Sequence, residues 1–220
     1  MSQALVVGAG LGLSASLARK LAARGHAVTL AARDPSDLEA LASEIGGTIV
    51  AANAREPEDM AGLFELFDDL AVAVYNPSAR TRAPVDELTP AQAENALMVS
   101  AFGAYLMAHH AVPLMKRRGS GALLFTGASA GVKGFGNSSA FAMGKFALRG
   151  LCQSLARELH PQNIHVGHFV IDGAIASDTY GRGDDRLDPD AVASTYMHFL
   201  DQHRSAWSWE IELRPWVETF

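Results

Sequence analysis

Short, nearly uninterrupted apolar runs alternate along the chain with longer stretches whose apolar positions recur every three to four residues. The first cycle is a run at 4–7, Ala-Leu-Val-Val, then a stretch at 11–24 carrying Leu13, Leu17, Ala18 and Leu21, then a second run at 27–31. Runs of this kind suit strands buried on both sheet faces, and the 3.6-residue period suits amphipathic helices. Gly25 closes the first helix because glycine accepts the left-handed conformation of a helix end. Asp34-Pro35 opens a second helix through residue 45, with Asp34 as its cap, and Gly46-Gly47 stop it. Strand 48–52, a helix from Glu56-Pro57 to about residue 70 and strand 71–75 complete the first half.

The second half repeats the alternation with longer helices. After a loop at 80–90, a helical pattern runs from 90 to about 118, with Pro113 placed to bend it or remove one backbone bond. Strand 122–126 leads into a glycine-rich loop at 127–136, and helix 138–160, opened by Ser138 and Ser139 as caps, ends at Pro161. Strand 165–171, a polar irregular stretch at 172–187, a helix from Asp188-Pro189 to about 203 and an alternating run at 207–213 finish the chain. Strands regularly separated by helices imply an α/β fold with a parallel sheet.

The 220 residues suffice for one buried core and argue for a single domain, 1–220. With 24 acidic and 18 basic residues the net charge is −6, against a surface built to neutralise nucleic-acid phosphates or anionic membrane. No run of 18 uninterrupted apolar residues suggests a membrane span, and the N-terminus shows neither the basic start nor the cleavage site of a signal peptide. The single cysteine, Cys152, permits no intramolecular disulfide, which fits a reducing, cytoplasmic setting. His109 and His110 are adjacent and would diverge on a helix, so no metal is expected.

Candidate chemistry begins after the first strand, at Gly8-Ala9-Gly10-Leu11-Gly12-Leu13-Ser14. A strand, a glycine-rich turn and a helix let backbone N–H groups at the helix start approach a pyrophosphate. The spacing departs from Gly-x-Gly-x-x-Gly. The second strand exits through Ala32-Arg33-Asp34, where an acid would take ribose hydroxyls and Arg33 suits a 2′-phosphate, so NADP(H) is favoured over NAD(H), the alternative being Asp34 turned toward the ribose.

Over its whole length the chain resembles the short-chain dehydrogenase/reductase family. Gly8 and Gly12 match the first two glycines of Thr-Gly-x-x-x-Gly-x-Gly, Asn53-Ala54 resembles the adenine-contacting Asp-Val, and Tyr75-Asn76-Pro77-Ser78 resembles Asn-Asn-Ala-Gly. Phe141-Ala142-Met143-Gly144-Lys145 falls at Tyr-x-x-x-Lys, and the segment from Asp172-Gly173 through Ile175 to Ser177 at Pro-Gly-x-x-x-Thr. The resemblance implies a Rossmann-type, doubly wound parallel sheet of about seven strands and hydride transfer between a nicotinamide and a small carbonyl or alcohol. It assigns Gly8, Gly10, Leu11, Gly12, Leu13, Arg33, Asn53, Ala54, Asn76, Lys145, Gly173 and Ile175 to the cofactor, and a short lid over substrate to 178–187. It also implies a homodimer or homotetramer packed through the two long helices.

The catalytic positions depart from the family pattern. Phe141 has no hydroxyl and cannot serve as acid or base, Ser100 stands in place of an Asn, and Ala128 falls at the Ser position. Ser129, one residue on, is the alternative hydroxyl. Lys145 is the one member retained. Tyr75, Tyr105, Tyr180, His168 and Asp172 are other ionisable groups near strand ends, with His168 read as a core histidine. The competing expectation is a cofactor-binding protein without redox turnover, acting as a sensor or partner subunit.

Overall fold

The computed structural model describes residues 1–177 and 180–218. Seven strands form one parallel sheet in the order β3-β2-β1-β4-β5-β6-β7: β1 (Gln3–Val7), β2 (Ala27–Ala32), β3 (Thr48–Ala51), β4 (Leu70–Tyr75), β5 (Gly121–Thr126), β6 (Ile164–Ile171) and β7 (Glu210–Leu213). The helices are α1 (Leu13–Ala23), α2 (Glu39–Ile45), α3 (Pro57–Phe64), α4 (Pro90–Leu97), α5 (Gly103–Arg118), α6 (Ser139–Leu159) and α7 (Pro189–Leu200). The parallel α/β sheet expected from the alternation is therefore the fold, in the doubly wound, seven-stranded form implied by the resemblance.

Successive residues of each central strand point to opposite faces, and both faces are apolar. Leu5, Val7, Ala73, Tyr75, Leu123 and Phe125 join a core with α3, α5 and α6. Ala4, Val6, Val72, Val74, Ala122 and Leu124 join the other core with α1, α2 and α7. Two-sided burial explains why these strands carry no polar alternation, and each fully buried large side chain contributes roughly 1.5–3 kcal/mol.

Several boundaries differ from the sequence expectation for physical reasons. α1 begins at Leu13 rather than 11, because the glycine loop supplies no side-chain cap at Gly12. Asp34 caps no α-helix directly: its carboxylate accepts from the Ser36 N–H at 3.1 Å, and a 3₁₀ turn at Ser36–Leu38 precedes α2. α3 stops at Phe64, since the apolar residues that follow belong to the turn and to β4. The last helix ends at Leu200, and the seventh strand is confined to Glu210–Leu213. Ser138 occupies the N-cap of α6 without a side-chain cap bond, its hydroxyl donating instead to the Gly136 carbonyl at 3.5 Å.

The continuous helical stretch Pro90–Arg118 contains a π-helical segment, Met98–Phe102, between α4 and α5. By length and hydropathy this stretch would be apolar enough to cross a membrane. Its apolar residues Ala104, Met107, Ala108 and Ala111 are spent in the core beside β4 and α3. Of the C-terminal tryptophans, Trp207 folds back and stacks on His165 at 4.2 Å, with Phe199 at 3.8 Å from the same imidazole. Burial there pushes His165 down to about 4. Trp209 packs against the core, and Trp216 is exposed.

Candidate active site

The strand order reverses between β1 and β4, the place where an open parallel sheet leaves a crevice at its carboxyl ends. A cleft of about 770 Å³ lies there, lined by Gly8, Ala9, Arg33, Asn53, Ala54 and Asn76, with Pro77, Asn95 and Val99 completing its walls. Five of the twelve residues assigned to the cofactor thus meet in one cleft from four different strand ends. Gly10, Leu11, Gly12 and Leu13 form the adjoining turn into α1, with Leu11 exposed and Leu13 buried.

Gly8 has φ +74°, and a Cβ there would stand 2.7 Å from the Pro77 ring. Only glycine fits both restrictions. A Cβ at Gly10 or Gly12 would meet nothing within 4 Å, so this part of the turn is open on its outer side. The turn is fixed from within: Asn76 Nδ2 donates to Ser14 Oγ at 2.7 Å, and Ser14 Oγ donates to the Gly8 carbonyl at 3.0 Å. The N-terminus of α1 carries neither a side-chain cap nor an acidic residue in its first turn. Its free N–H groups and positive dipole end suit phosphate oxygens. Arg33 is exposed at the cleft edge, with no ion pair among the described residues. These features fit a dinucleotide.

The other half of the expected site lies beyond β4. Lys145 is 2% exposed, and its ammonium donates to the Thr126 carbonyl at 2.9 Å. Burial pushes its pKa down to about 8, and the same burial pushes nearby Cys152 up. Phe141, one turn earlier, is half-buried, and the Arg80 guanidinium stands over its ring, 5.8 Å from the centroid. Ala128 immediately precedes a 3₁₀ turn, Ser129–Gly131, in which the Ser129 carbonyl accepts from the Val132 and Lys133 N–H groups. Ser100 sits inside the π-helical segment, fully buried, its hydroxyl without a hydrogen-bond partner.

That π-helical segment has an identifiable support. The Tyr75 hydroxyl donates to the Val99 carbonyl, bracing the segment against the end of β4. Burial drives the Tyr75 phenol far above its ordinary value, so it is no proton donor near neutral pH. The π-helical segment was not visible in the sequence, because Met98–Phe102 is about one turn long and too short to establish a period of its own.

His168 is not a fully satisfied core histidine. Nδ1 pairs with Glu210 at 2.9 Å, but Nε2 is buried without a partner against Gly127. Burial pushes the imidazole pKa down despite Glu210. Burial alone would raise Glu210, yet the bidentate Arg149 pair at 2.7 and 2.8 Å and the His168 bond hold its carboxyl low.

Gly173, with φ +150°, and Ile175, bridged to Leu187, lie after β6 at the far side of the sheet end from Gly8. Asp172 is buried and paired with Lys133 at 3.3 Å and Arg214 at 3.4 Å, an arrangement its polar setting alone did not reveal. Tyr105 and Tyr180 are exposed. Of the lid at 178–187, Asp178 and Thr179 lie outside the described residues. Among the described residues, no group of three His, Cys, Asp or Glu side chains is placed to hold a metal ion.

Comparison with known proteins accords with this geometry. Residues 2–183 match the family model described as short chain dehydrogenase. Trans-4-hydroxycyclohexanecarboxylate dehydrogenase of Sinomonas cyclohexanicum is 30% identical over 178 residues, covering 74% of this chain and 68% of that protein. A short-chain dehydrogenase structure from Rhodopseudomonas palustris superposes with a TM-score of 0.87 at 33% identity, covering 98% and 99% of the two chains. A metagenomic short-chain oxidoreductase solved in complex with NADP gives 0.84 at 25% identity, covering 97% of each chain. The chain belongs to the short-chain dehydrogenase family, whose members among these relatives are oxidoreductases acting on CH–OH and C=O groups.

Proposed function

We propose that this protein is an NADP(H)-preferring oxidoreductase of small carbonyl or alcohol substrates, working with a degenerate proton-donor site. The observation that carries the cofactor preference is Arg33. It stands at the cleft edge, exposed and without an anionic partner among the described residues, beside Ala32, which offers no carboxylate to repel a 2′-phosphate. Arg presents paired N–H donors that match phosphate oxygens. The NADP-bound structural relative and the hydroxycyclohexanecarboxylate dehydrogenase support the cofactor and the substrate class respectively.

In this reading Gly8, Gly10, Gly12 and the start of α1 hold the pyrophosphate, Asn53 and Ala54 the adenine, and Asn76 the turn against the sheet. Gly173 and Ile175 border the nicotinamide end. The bound nicotinamide supplies the hydride donor or acceptor. Lys145 holds the ribose by turning its ammonium from the Thr126 carbonyl, Ser129 orients the substrate oxygen, and Ser100 takes the water-holding place of the missing Asn. Because Phe141 cannot exchange a proton, water supplies it, at a cost of ~10²–10⁴-fold in rate relative to a positioned general acid.

A second reading, binding without turnover, draws on one observation: the lone retained catalytic cation, Lys145, is committed to a backbone carbonyl. We further infer that residues 1–220 act as one cytoplasmic domain, with 178–187 as a short lid. A homo-oligomer is supported by Tyr105, Met143 and Phe146 on α5 and α6, all exposed by more than two-fifths.

Replacing Arg33 with Ala tests the preference. NADPH affinity should fall at least about tenfold, the loss of ~1.4 kcal/mol, while NADH affinity stays unchanged. Equal losses for both cofactors would contradict it.

A further inference from the structure

The position matched to the family's proton donor is covered by a cation. Arg80 leaves β4 five residues after Tyr75 and brings its guanidinium over the Phe141 ring. The segment is tethered there by backbone, the Ala83 N–H donating to the Asn137 carbonyl at 3.0 Å. Arg80 is exposed and forms no ion pair or hydrogen bond with any described residue. Its N–H donors are therefore available to a ligand, while the aromatic face beneath holds the guanidinium plane.

The uncompensated charge of Arg80 itself favours an anion. Lys133 stands over the Phe135 ring at 5.4 Å, and the buried Asp172 carboxylate is compensated by Lys133 and Arg214. Arg214 also pairs with Glu212, so that cluster is neutral as a whole, and Arg80 adds a positive charge with no counterpart among the described residues.

We propose that Arg80 selects a substrate whose carbonyl or alcohol carbon bears a carboxylate, the paired N–H groups gripping that carboxylate above Phe141. The proposal rests on the oxidoreductase reading and adds to it the chemical class of the substrate. A guanidinium offers five N–H donors and no acceptor for a substrate proton, so its role is binding and orientation. A bidentate Arg–carboxylate pair provides both strength and a fixed plane.

The test has two stages. Calorimetry first measures NADPH binding to the wild type and to Arg80→Ala, Arg80→Lys and Arg82→Ala. Saturation-transfer NMR then titrates each NADPH complex with oxamate, which pairs a carboxylate with a carbonyl, and with its uncharged methyl ester. Oxamate should bind the wild type at least about tenfold tighter than the ester, the discrimination expected of one charge-assisted bidentate pair. Arg80→Ala should abolish that preference, Arg80→Lys should retain part of it, and Arg82→Ala should leave it intact, with NADPH affinity unaltered throughout. Equal binding of acid and ester, or a preference that survives Arg80→Ala, would overturn the assignment. So would loss of NADPH affinity in Arg80→Ala, which would place Arg80 at the cofactor. Absence of NADPH binding in the wild type would instead defeat the oxidoreductase reading on which the proposal stands.

Discussion

Lys145 donates its ammonium to the backbone carbonyl of Thr126 at the end of β5, inside the protein and one helical turn past Phe141. A charged group so placed has lost most of its hydration for one hydrogen bond, and its pKa falls from 10.5 to about 8. Between these values the unfolded chain binds a proton that the folded chain has released, so stability rises with pH across that window. Replacing Lys145 with Met should remove this rise, which amounts to about 3 kcal/mol for the full shift. Chemical denaturation from pH 7 to 11 measures it, and the same slope in both proteins would show that Lys145 is not desolvated as described.

The glycine turn makes a separate prediction. Gly8→Ala places a methyl group in the left-handed region and 2.7 Å from Pro77, so it should destabilise by at least ~1–2 kcal/mol. It should also weaken NADPH binding more than Gly10→Ala, whose Cβ meets open space. Thermal unfolding and calorimetric titration of the two variants check both statements, and equal behaviour would remove the steric argument.

The brace between β4 and the π-helical segment is testable by a single atom. Tyr75→Phe removes this donor from the Val99 carbonyl and should cost about 1 kcal/mol. A double variant with Ser100→Ala should restore part of that loss, because the Ser100 hydroxyl is itself buried without a partner. Denaturant midpoints at constant slope decide the matter.

The order of elements was legible in the sequence because buried parallel strands and amphipathic helices write different apolar periods. The cleft was legible as far as single residues announce themselves: Gly8 by its turn, Arg33 by its place after β2, Asn76 by its place after β4. What escaped were relationships between distant segments. Nothing near Arg80 marks it as a neighbour of Phe141, sixty-one positions on, and nothing near Tyr75 marks it as the support of Val99. The inward turn of Lys145 was equally hidden, since a helix lysine at that spacing reads the same whether it faces a cleft or a carbonyl.

Restoring the phenol addresses the degenerate site directly. Phe141→Tyr should raise carbonyl reduction at least about tenfold, part of the gain a positioned acid provides. Steady-state rates with NADPH and a panel of aldehydes, quinones and diketones check this. No change would mean that Ala128 and Ser100 disable the site independently of Phe141.

Whether the cleft between β1 and β4 holds NADP(H) for redox work is decided by calorimetric titration with NADPH and NADH, followed at 340 nm with the carbonyl panel present. NADPH should bind at least about tenfold tighter than NADH, with slow but measurable oxidation. Binding without oxidation would favour the non-catalytic reading, and binding of neither cofactor would rule out a cofactor cleft and leave only the fold.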